Sequence, residues 1–464
     1  MRRVHFIGVS GIGMSAAAEI SMSLGMDVSG SALEENAQTK RLQRKGMTFY
    51  LGHRAGQVEG SDLVVMSAAV PDENPEVVKA RGMGIPVRLY SEYLGMLMEN
   101  KRGVAVAGTH GKTTTTAMLA AVATKAGLDP TVVCGGVMRQ FGSNAVVGRG
   151  ELFIAEACEY NRSFLDLPKK HAVITNIEPE HLDYYADLDE IRQAFRLFLE
   201  STDKGGVSCV NGDDPNVRAA VAGVLDSTPG KDRMRMVSVG YGEGNGYRIR
   251  AQKRKGGMYT MHLAKGLEEL LCVDLPLPGR FNCINAGLTA AWALEIGIKA
   301  PVIIDALRAF RGTQRRLEHL GDVGGVTVYS DYAHHPTEIE GSLLALRETH
   351  CRRRIALVFQ PHQYARTAHF FGEFVKVLAG ADRLVLTEVY RQRDREDAHV
   401  SVSGVTLYEA LKRVMGEHVV FIEKKEDINP YLQDERANLE VLIFMGAGDI
   451  DTVAREFVSQ MQFP

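Results

Sequence analysis

What this sequence has little of narrows its class before any motif is read. Its six cysteines, at positions 134, 158, 209, 272, 283 and 351, are scattered over 464 residues without a Cys-x-x-Cys pair. Neither a zinc knuckle nor a disulfide framework is indicated. No apolar run comes near the roughly 18 residues of a membrane-crossing helix, and Met-Arg-Arg leads straight into a strand-like stretch with no apolar leader. The expected setting is a reducing cytoplasm, with no membrane insertion. Charge of neither sign dominates: 54 Lys plus Arg against 57 Asp plus Glu leave a net charge of -3, which argues against a nucleic-acid partner. Short basic runs such as Arg352-Arg-Arg354 read as a solvated edge. No internal repeat or low-complexity tract interrupts the series of strand-like runs beyond residue 312.

What is present is ordinary for a globular protein: 45% apolar and 24% charged residues. The length suggests roughly three domains of about 150 residues each. The most informative stretch is Gly108-Thr-His-Gly-Lys-Thr-Thr-Thr-Thr116, between an apolar strand-like run (Gly103–Ala107) and an apolar helical one (Ala117–Lys125). In a strand, glycine turn and helix, the turn's N–H groups and the helix N-terminus converge on an anion. Lys112 adds a full positive charge and Thr113 a hydroxyl for a magnesium ion. A standard phosphate loop has a glycine where this chain has Val106, so the loop is a shortened G-T-x-G-K-T form. Residues Gly108, Thr109, His110, Gly111, Lys112, Thr113 and Thr114 are expected to hold a nucleoside triphosphate.

Strand and helix patterns alternate along the rest of the chain. Val4–Val9 reads as a first strand, and Gly11-x-Gly13-x-x-Ala16 has the spacing of a Rossmann-type phosphate turn. The next strand runs out in Asp27-Val-Ser-Gly-Ser31 without the acid that would hold a dinucleotide ribose, which favours a UDP-sugar over NAD. Gly11, Gly13 and Ser31, with His53 and Ser67 on neighbouring loops, are the expected substrate-binding positions. In the middle of the chain Glu156 ends an apolar strand, and Asn176 ends another, with His181 five residues on. Magnesium prefers hard oxygen ligands, so Thr113, Glu156 and the triphosphate form a plausible metal set, with His181 either a second-metal ligand or a loop histidine. The 240–275 stretch reads as an antiparallel flank. Asn282 and Asn285, early in an apolar helix, can present amides to a base or ribose, with helix capping by Asn282 the competing reading. Beyond residue 312 four strand-like runs end in polar clusters: Asp331 to Ile339, Gln360 to Thr367, Glu388 to Asp397, and Gly446 to Asp449.

Taken together, F-I-G-V-S-G-I-G-M-S, G-T-H-G-K-T-T-T-T, E-A-C-E-Y with T-N-I-E-P-E-H, G-R-F-N-C-I-N-A, R-R-L-E, D-Y-A-H-H-P-T-E-I, F-Q-P-H-Q-Y-A-R-T and G-A-G-D-I resemble the Mur ligases in sequence and order. The resemblance implies an α/β protein of three domains. These are a Rossmann-like UDP-sugar domain (1–98), a central ATP-binding domain of the P-loop type (99–312) and a C-terminal Rossmann-like ligase domain (313–464). It implies an ADP-forming ligase of peptidoglycan precursor synthesis that uses ATP and Mg2+, or Mn2+ in its place. UDP-N-acetylmuramate and L-alanine are the implied substrates, joined through an acyl phosphate, and a recycling ligase that attaches a whole tripeptide is the alternative. By the same resemblance Lys112, Glu156, His181, His335, His362 and Arg366 are the catalytic set. Asn282, Asn285, Arg316 and Asp331 contact the nucleotide. Gln363, Phe281, Cys158, Asn161 and the loop from Tyr390 to Glu396 depart from the family's commoner residues, which bears on substrate contacts. Because an acyl phosphate hydrolyses when water reaches it, closure of the third domain on ordered binding is expected. Monomer and homodimer are both compatible with this reading, as is an NAD enzyme or a nucleotide switch with fewer of the motifs explained.

Overall fold

The computed structural model describes residues 2–227, 234–391 and 402–462; the part of the 388–397 loop from residue 392 on lies outside them. The chain divides into two compact units: Met1–Ile249 with Leu263–Leu271 and Ile284–Phe310, and Arg250–His262 with Cys272–Cys283 and Arg311–Pro464. Three α/β sheets carry the architecture, as the sequence patterns predict.

The first sheet holds β1 (Arg3–Ile7), β2 (Asp27–Ala32), β3 (Thr48–Leu51), β4 (Leu63–Met66) and β5 (Val87–Leu89) in the order β3-β2-β1-β4-β5. All four pairings are parallel. Strand order reverses at β1, so the loops after β1 and β4 flank a crevice at the carboxyl ends of the strands. Apolar residues alternate between its faces: Val4 and Phe6 pack with Leu63 and Val65, while Ile7 packs with Val64 and Met66. Both faces are covered by helices, which is why these strands read as short continuous apolar runs. β5 begins only at Val87, because Pro86 before it offers no amide to a ladder.

The second sheet contains β6 (Arg102–Ala107), β7 (Thr131–Met138), β8 (Ser143–Val146), β9 (Leu152–Glu156), β10 (Lys169–Ile174), β11 (Thr202–Asn211), β12 (Arg235–Gly240), β13 (Tyr247–Lys253), β14 (Tyr259–Lys265) and β15 (Glu268–Leu275). Its order is β15-β14-β13-β12-β11-β10-β6-β9-β7-β8. β6 lies between β10 and β9, parallel to both, so the loop after it sits between Thr175-Asn176 and Glu156. The helix that follows covers Lys112–Lys125, five residues longer at its start than its apolar run indicates. The threonines at 113 to 116 are therefore its first turn, and all four are buried. Helices of the first sheet supply Ala16, Ile20, Leu94 and Met98 to the same core as Ala105, Phe153 and Phe164. These two sheets thus share one apolar cluster.

The third sheet, in the second unit, holds β16 (Glu318–Val323), β17 (Val326–Asp331), β18 (Ile355–Phe359), β19 (Arg383–Leu386), β20 (Val419–Phe421) and β21 (Val441–Met445) in the order β16-β17-β21-β18-β19-β20. Only β16 pairs antiparallel. β17, β18 and β21 are buried along their whole length. Their carboxyl ends deliver Asp331, Gln360 and Gly446 to one edge.

Candidate functional site

The loop after β6 can turn only because glycine occupies two of its positions. Gly108 has φ +138°, and a side chain there would strike Thr175 Oγ1. Gly111 has φ +82°, and a Cβ would lie 2.7 Å from Asn285 Oδ1. Asn285, predicted as a nucleotide contact, is thereby placed at the loop. Asn176 shapes the loop by accepting from the His110 amide (2.8 Å) and donating to the His110 carbonyl (3.0 Å). The first amides of the Lys112–Lys125 helix have no acceptor within their own helix and suit an anion.

Lys112 curls back over this loop. Its Nζ donates to the Gly108 and Thr109 carbonyls and to both carboxylate oxygens of Glu159, at 2.9 and 3.1 Å. Burial alone would lower the ammonium pKa, but Glu159 above all, with Cys158 and Glu156, holds it above the usual lysine range. Glu159 is itself 2% exposed and stands 3.7 Å from His181 Nε2. Sequence reasoning passed over it, although it lies inside the E-A-C-E-Y motif. The chain turns back there through Asn161 and Arg162, both at positive φ, a fold-back that no periodicity announces.

Thr113 Oγ1 donates to Glu156 Oε1 at 3.0 Å, and the Gly135 amide donates to Oε2 at 2.6 Å. A hydroxyl and a carboxylate this close beside the phosphate loop form a hard-oxygen pair that fits magnesium. The third expected metal residue, His181, keeps different company. It has φ +55°, packs edge-on against Tyr160 at 5.0 Å, and forms with Cys158 and Glu159 a group whose ligand atoms lie within 4.8 Å of one another.

In the first sheet, Gly11 is the N-cap of the Ile12–Ser23 helix. A Cβ on Gly13 would come within 2.7 Å of the Tyr90 ring, so this glycine serves close packing. Asn36 caps the Ala37–Arg44 helix and donates from Nδ2 to the Ser10 carbonyl at 2.9 Å, fixing the turn after β1. Ser67, just past β4, accepts from the Ala69 amide at 3.3 Å. Ser31 and His53 meet on the carboxylate of Glu76.

In the second unit, Asp331 ends β17, accepts from Ser342 Oγ at 2.6 Å, and is pushed up to about 6 by its burial, against the pull of Ser342 and Arg316. Arg316 pairs with Glu338 at 3.3 Å and lies 5.0 Å over the Tyr332 ring. His335 caps the Pro336–Thr349 helix, its Nδ1 accepting from the Thr337 amide at 3.3 Å. Arg366 donates to His362 Nδ1 at 3.0 Å, and the His362 ring stacks on Tyr390 at 5.9 Å. His334, not singled out from sequence, lies 5.9 Å from His362. Asn282 does not cap: it lies inside the Phe281–Glu295 helix, and its amide donates to the Pro278 carbonyl at 2.8 Å.

Three family models match the chain in order: "Mur ligase family, catalytic domain" over residues 3–102, "Mur ligase middle domain" over 106–293, and "Mur ligase, glutamate ligase domain" over 315–448. UDP-N-acetylmuramate--L-alanine ligase of Salinibacter ruber is 42% identical over 466 residues, covering 100% of this chain and 95% of that protein. The enzyme of the same name from Aquifex aeolicus is 38% identical, with coverage of 99% and 98%. Among solved structures, UDP-N-acetylmuramate-alanine ligase MurC from Thermotoga maritima superposes with a TM-score of 0.83 at 30% identity, over 100% of this chain and 99% of that one. A murein peptide ligase from Psychrobacter arcticus, 21% identical, shares the fold over 100% and 99% of the two chains with a TM-score of 0.74. Three family domains in unbroken order and relatives matching end to end lead to one conclusion: the chain belongs to the Mur ligase family.

Proposed function

We propose that this protein uses ATP to join L-alanine to the carboxylate of UDP-N-acetylmuramate, forming ADP and phosphate, in peptidoglycan precursor synthesis. The observation that carries this reading is the Lys112 and Thr113 loop, with Glu156 and Glu159 set against it, in a chain whose full-length relatives bear that activity in their names.

A carboxylate resists attack by an amine because oxide is a very poor leaving group. In the proposed sequence the muramyl carboxylate attacks the γ-phosphorus of ATP, ADP departs, and an acyl phosphate results. The amine of L-alanine then attacks the acyl carbon, phosphate leaves, and the amine's proton passes to a base. The chain's part in the first step is positioning and charge: the loop amides cradle phosphates, and Lys112 offers its ammonium to the transferring group once nucleotide competes with Glu159. Thr113 and Glu156 would hold Mg2+ or Mn2+, with His181 as a further ligand; when bound, the ion supplies positive charge against the charge that develops on the phosphoryl oxygens. Asn285 and Asn282, with Arg316 and Asp331, are assigned to the nucleotide. His335, His362 and Arg366 are assigned to the muramyl carboxylate and the amino acid, the two histidines as candidate proton acceptors. Gly11, Gly13, Ser31, His53 and Ser67 are assigned to the UDP-sugar.

Within this reading residues 1–98 take the UDP-sugar, 99–312 the ATP, and 313–464 the amino acid. The protein works in the cytoplasm, as a monomer or homodimer; no described helix is long and apolar enough to cross a membrane. The test is ADP formation with UDP-N-acetylmuramate against L-alanine, glycine, L-serine and the recycled tripeptide. Turnover is expected with L-alanine above the others, and preference for the tripeptide would overturn the assignment.

A further inference from the structure

His5 sits in the middle of β1 between Val4 and Phe6, with no solvent exposure. Its partner is Glu76, on the helix Pro75–Gly82, equally without exposure. Glu76 Oε1 meets His5 Nε2 at 2.9 Å, while Oε2 meets Ser31 Oγ at 2.7 Å and His53 Nδ1 at 2.6 Å. The remaining nitrogen of His5 is met by Ser29 Oγ at 2.8 Å. Burial would raise the Glu76 carboxyl, but hydrogen bonds from His5 and Ser31, the charge on His5 and the bond from His53 leave it below the usual glutamate range.

An ionised carboxylate can only accept. His53 must therefore carry its proton on Nδ1, and in the neutral ring Nε2 is then a bare acceptor. The His53 side chain is 15% exposed and stands just beyond β3, at the carboxyl edge of the first sheet where the UDP-sugar is assigned. A purely structural partner for His5 needs one oxygen of Glu76. The second is shared by the two residues of this network expected to touch substrate.

We propose that Glu76 is a positioning residue: by fixing the proton on His53 Nδ1 it presents Nε2 as an acceptor for an N–H or O–H donor of the nucleotide moiety. This rests on the assignment of the UDP-sugar to the first sheet. Long-range 1H–15N spectra of the full chain at about pH 8, with His53 identified through His53→Gln, test it directly. The free wild-type protein is expected to show Nδ1 protonated and Nε2 bare, with UDP-N-acetylmuramate shifting the Nε2 resonance. Glu76→Met, of similar length and without an acceptor, takes away the oxygen that holds the proton on His53 Nδ1 and should let the proton move to Nε2. It should raise KM for UDP-N-acetylmuramate by roughly ten- to a hundredfold, the cost of unmade buried hydrogen bonds, while KM for ATP and kcat stay within about twofold. A proton on Nε2 in the free wild type, or a Met variant that keeps both the tautomer and the KM, overturns the proposal. A protein that forms ADP while His53 Nε2 ignores the UDP-sugar overturns it as well. If the sugar shifts that resonance and no ADP forms, the proposed reaction fails and the positioning role stands.

Discussion

Glu159 and Lys112 form a pair in which each charge depends on the other for its place in a part-buried cleft. Removing one partner leaves the other uncompensated, at a cost of about 3 kcal/mol, whereas replacing both is far milder. Lys112→Met and Glu159→Gln should therefore each lower the urea midpoint, and the double variant should lose clearly less than the sum of the two. Lys112→Ala should retain the far-ultraviolet spectrum of the wild type and form no ADP; normal turnover in that variant would remove the phosphate-loop assignment. Asp331 offers a pH test with a definite sign. Its carboxyl is raised from 3.8 to about 6 by burial, so its contribution to stability is fully present below pH 4. That contribution is lost as pH rises from 4 through 6, by about 3 kcal/mol at about 1.4 per pH unit. The wild type minus Asp331→Asn difference in unfolding free energy, measured from pH 4 to 7, should fall by that order; a flat difference would show that the carboxyl is not held high.

Short helices at the carboxyl edge of the first sheet tie separate turns together. The Ala37–Arg44 helix begins in a capping box, with Asn36 Oδ1 accepting from the Gln38 and Thr39 amides at 3.0 Å each, while Nδ2 holds the Ser10 carbonyl. Asn36→Ala should cost about 1 kcal/mol of stability and, by releasing the turn after β1, raise KM for UDP-N-acetylmuramate several-fold without moving KM for ATP. Unchanged KM for both would show that the turn holds itself. At this scale the sequence was most readable where function and local structure share one contiguous run. The loop from Gly108 to Thr114 points to a nucleotide from sequence alone because its two glycines, lysine and threonines lie within seven residues. Elements whose partners are remote were not legible: Glu76 gains its meaning from His5, 71 residues away, and Glu159 from a fold-back with two residues at positive φ. Asn282 shows what stays open in a sequence, since an asparagine on a first turn reads equally as a cap, and only the helix start at Phe281 puts it inside.

The first unit contains the chain's single tryptophan, Trp292, fully buried and edge-on to His171 at 6.3 Å. Tryptophan fluorescence therefore reports the unfolding of this unit alone, whereas far-ultraviolet ellipticity reports both units. Ile20 and Leu94, from helices of the first sheet, lie in one apolar cluster with Ala105, Phe153 and Phe198 of the second. Arg41 also bonds to Asn144 at 2.7 Å. A ligand on the first sheet should thus stabilise everything down to Trp292. UDP, which lacks the muramyl carboxylate assigned to His335, His362 and Arg366 of the second unit, contributes about 2.7 kcal/mol at a hundred times its dissociation constant to whatever unfolds together with its site. The fluorescence transition should shift by that amount, while the ellipticity change that fluorescence does not see should stay where it was. UDP that moves only part of the ellipticity and leaves the tryptophan transition in place would mean that the first sheet melts by itself. The cluster built on Ile20 and Leu94 would then be too weak to couple the two sheets.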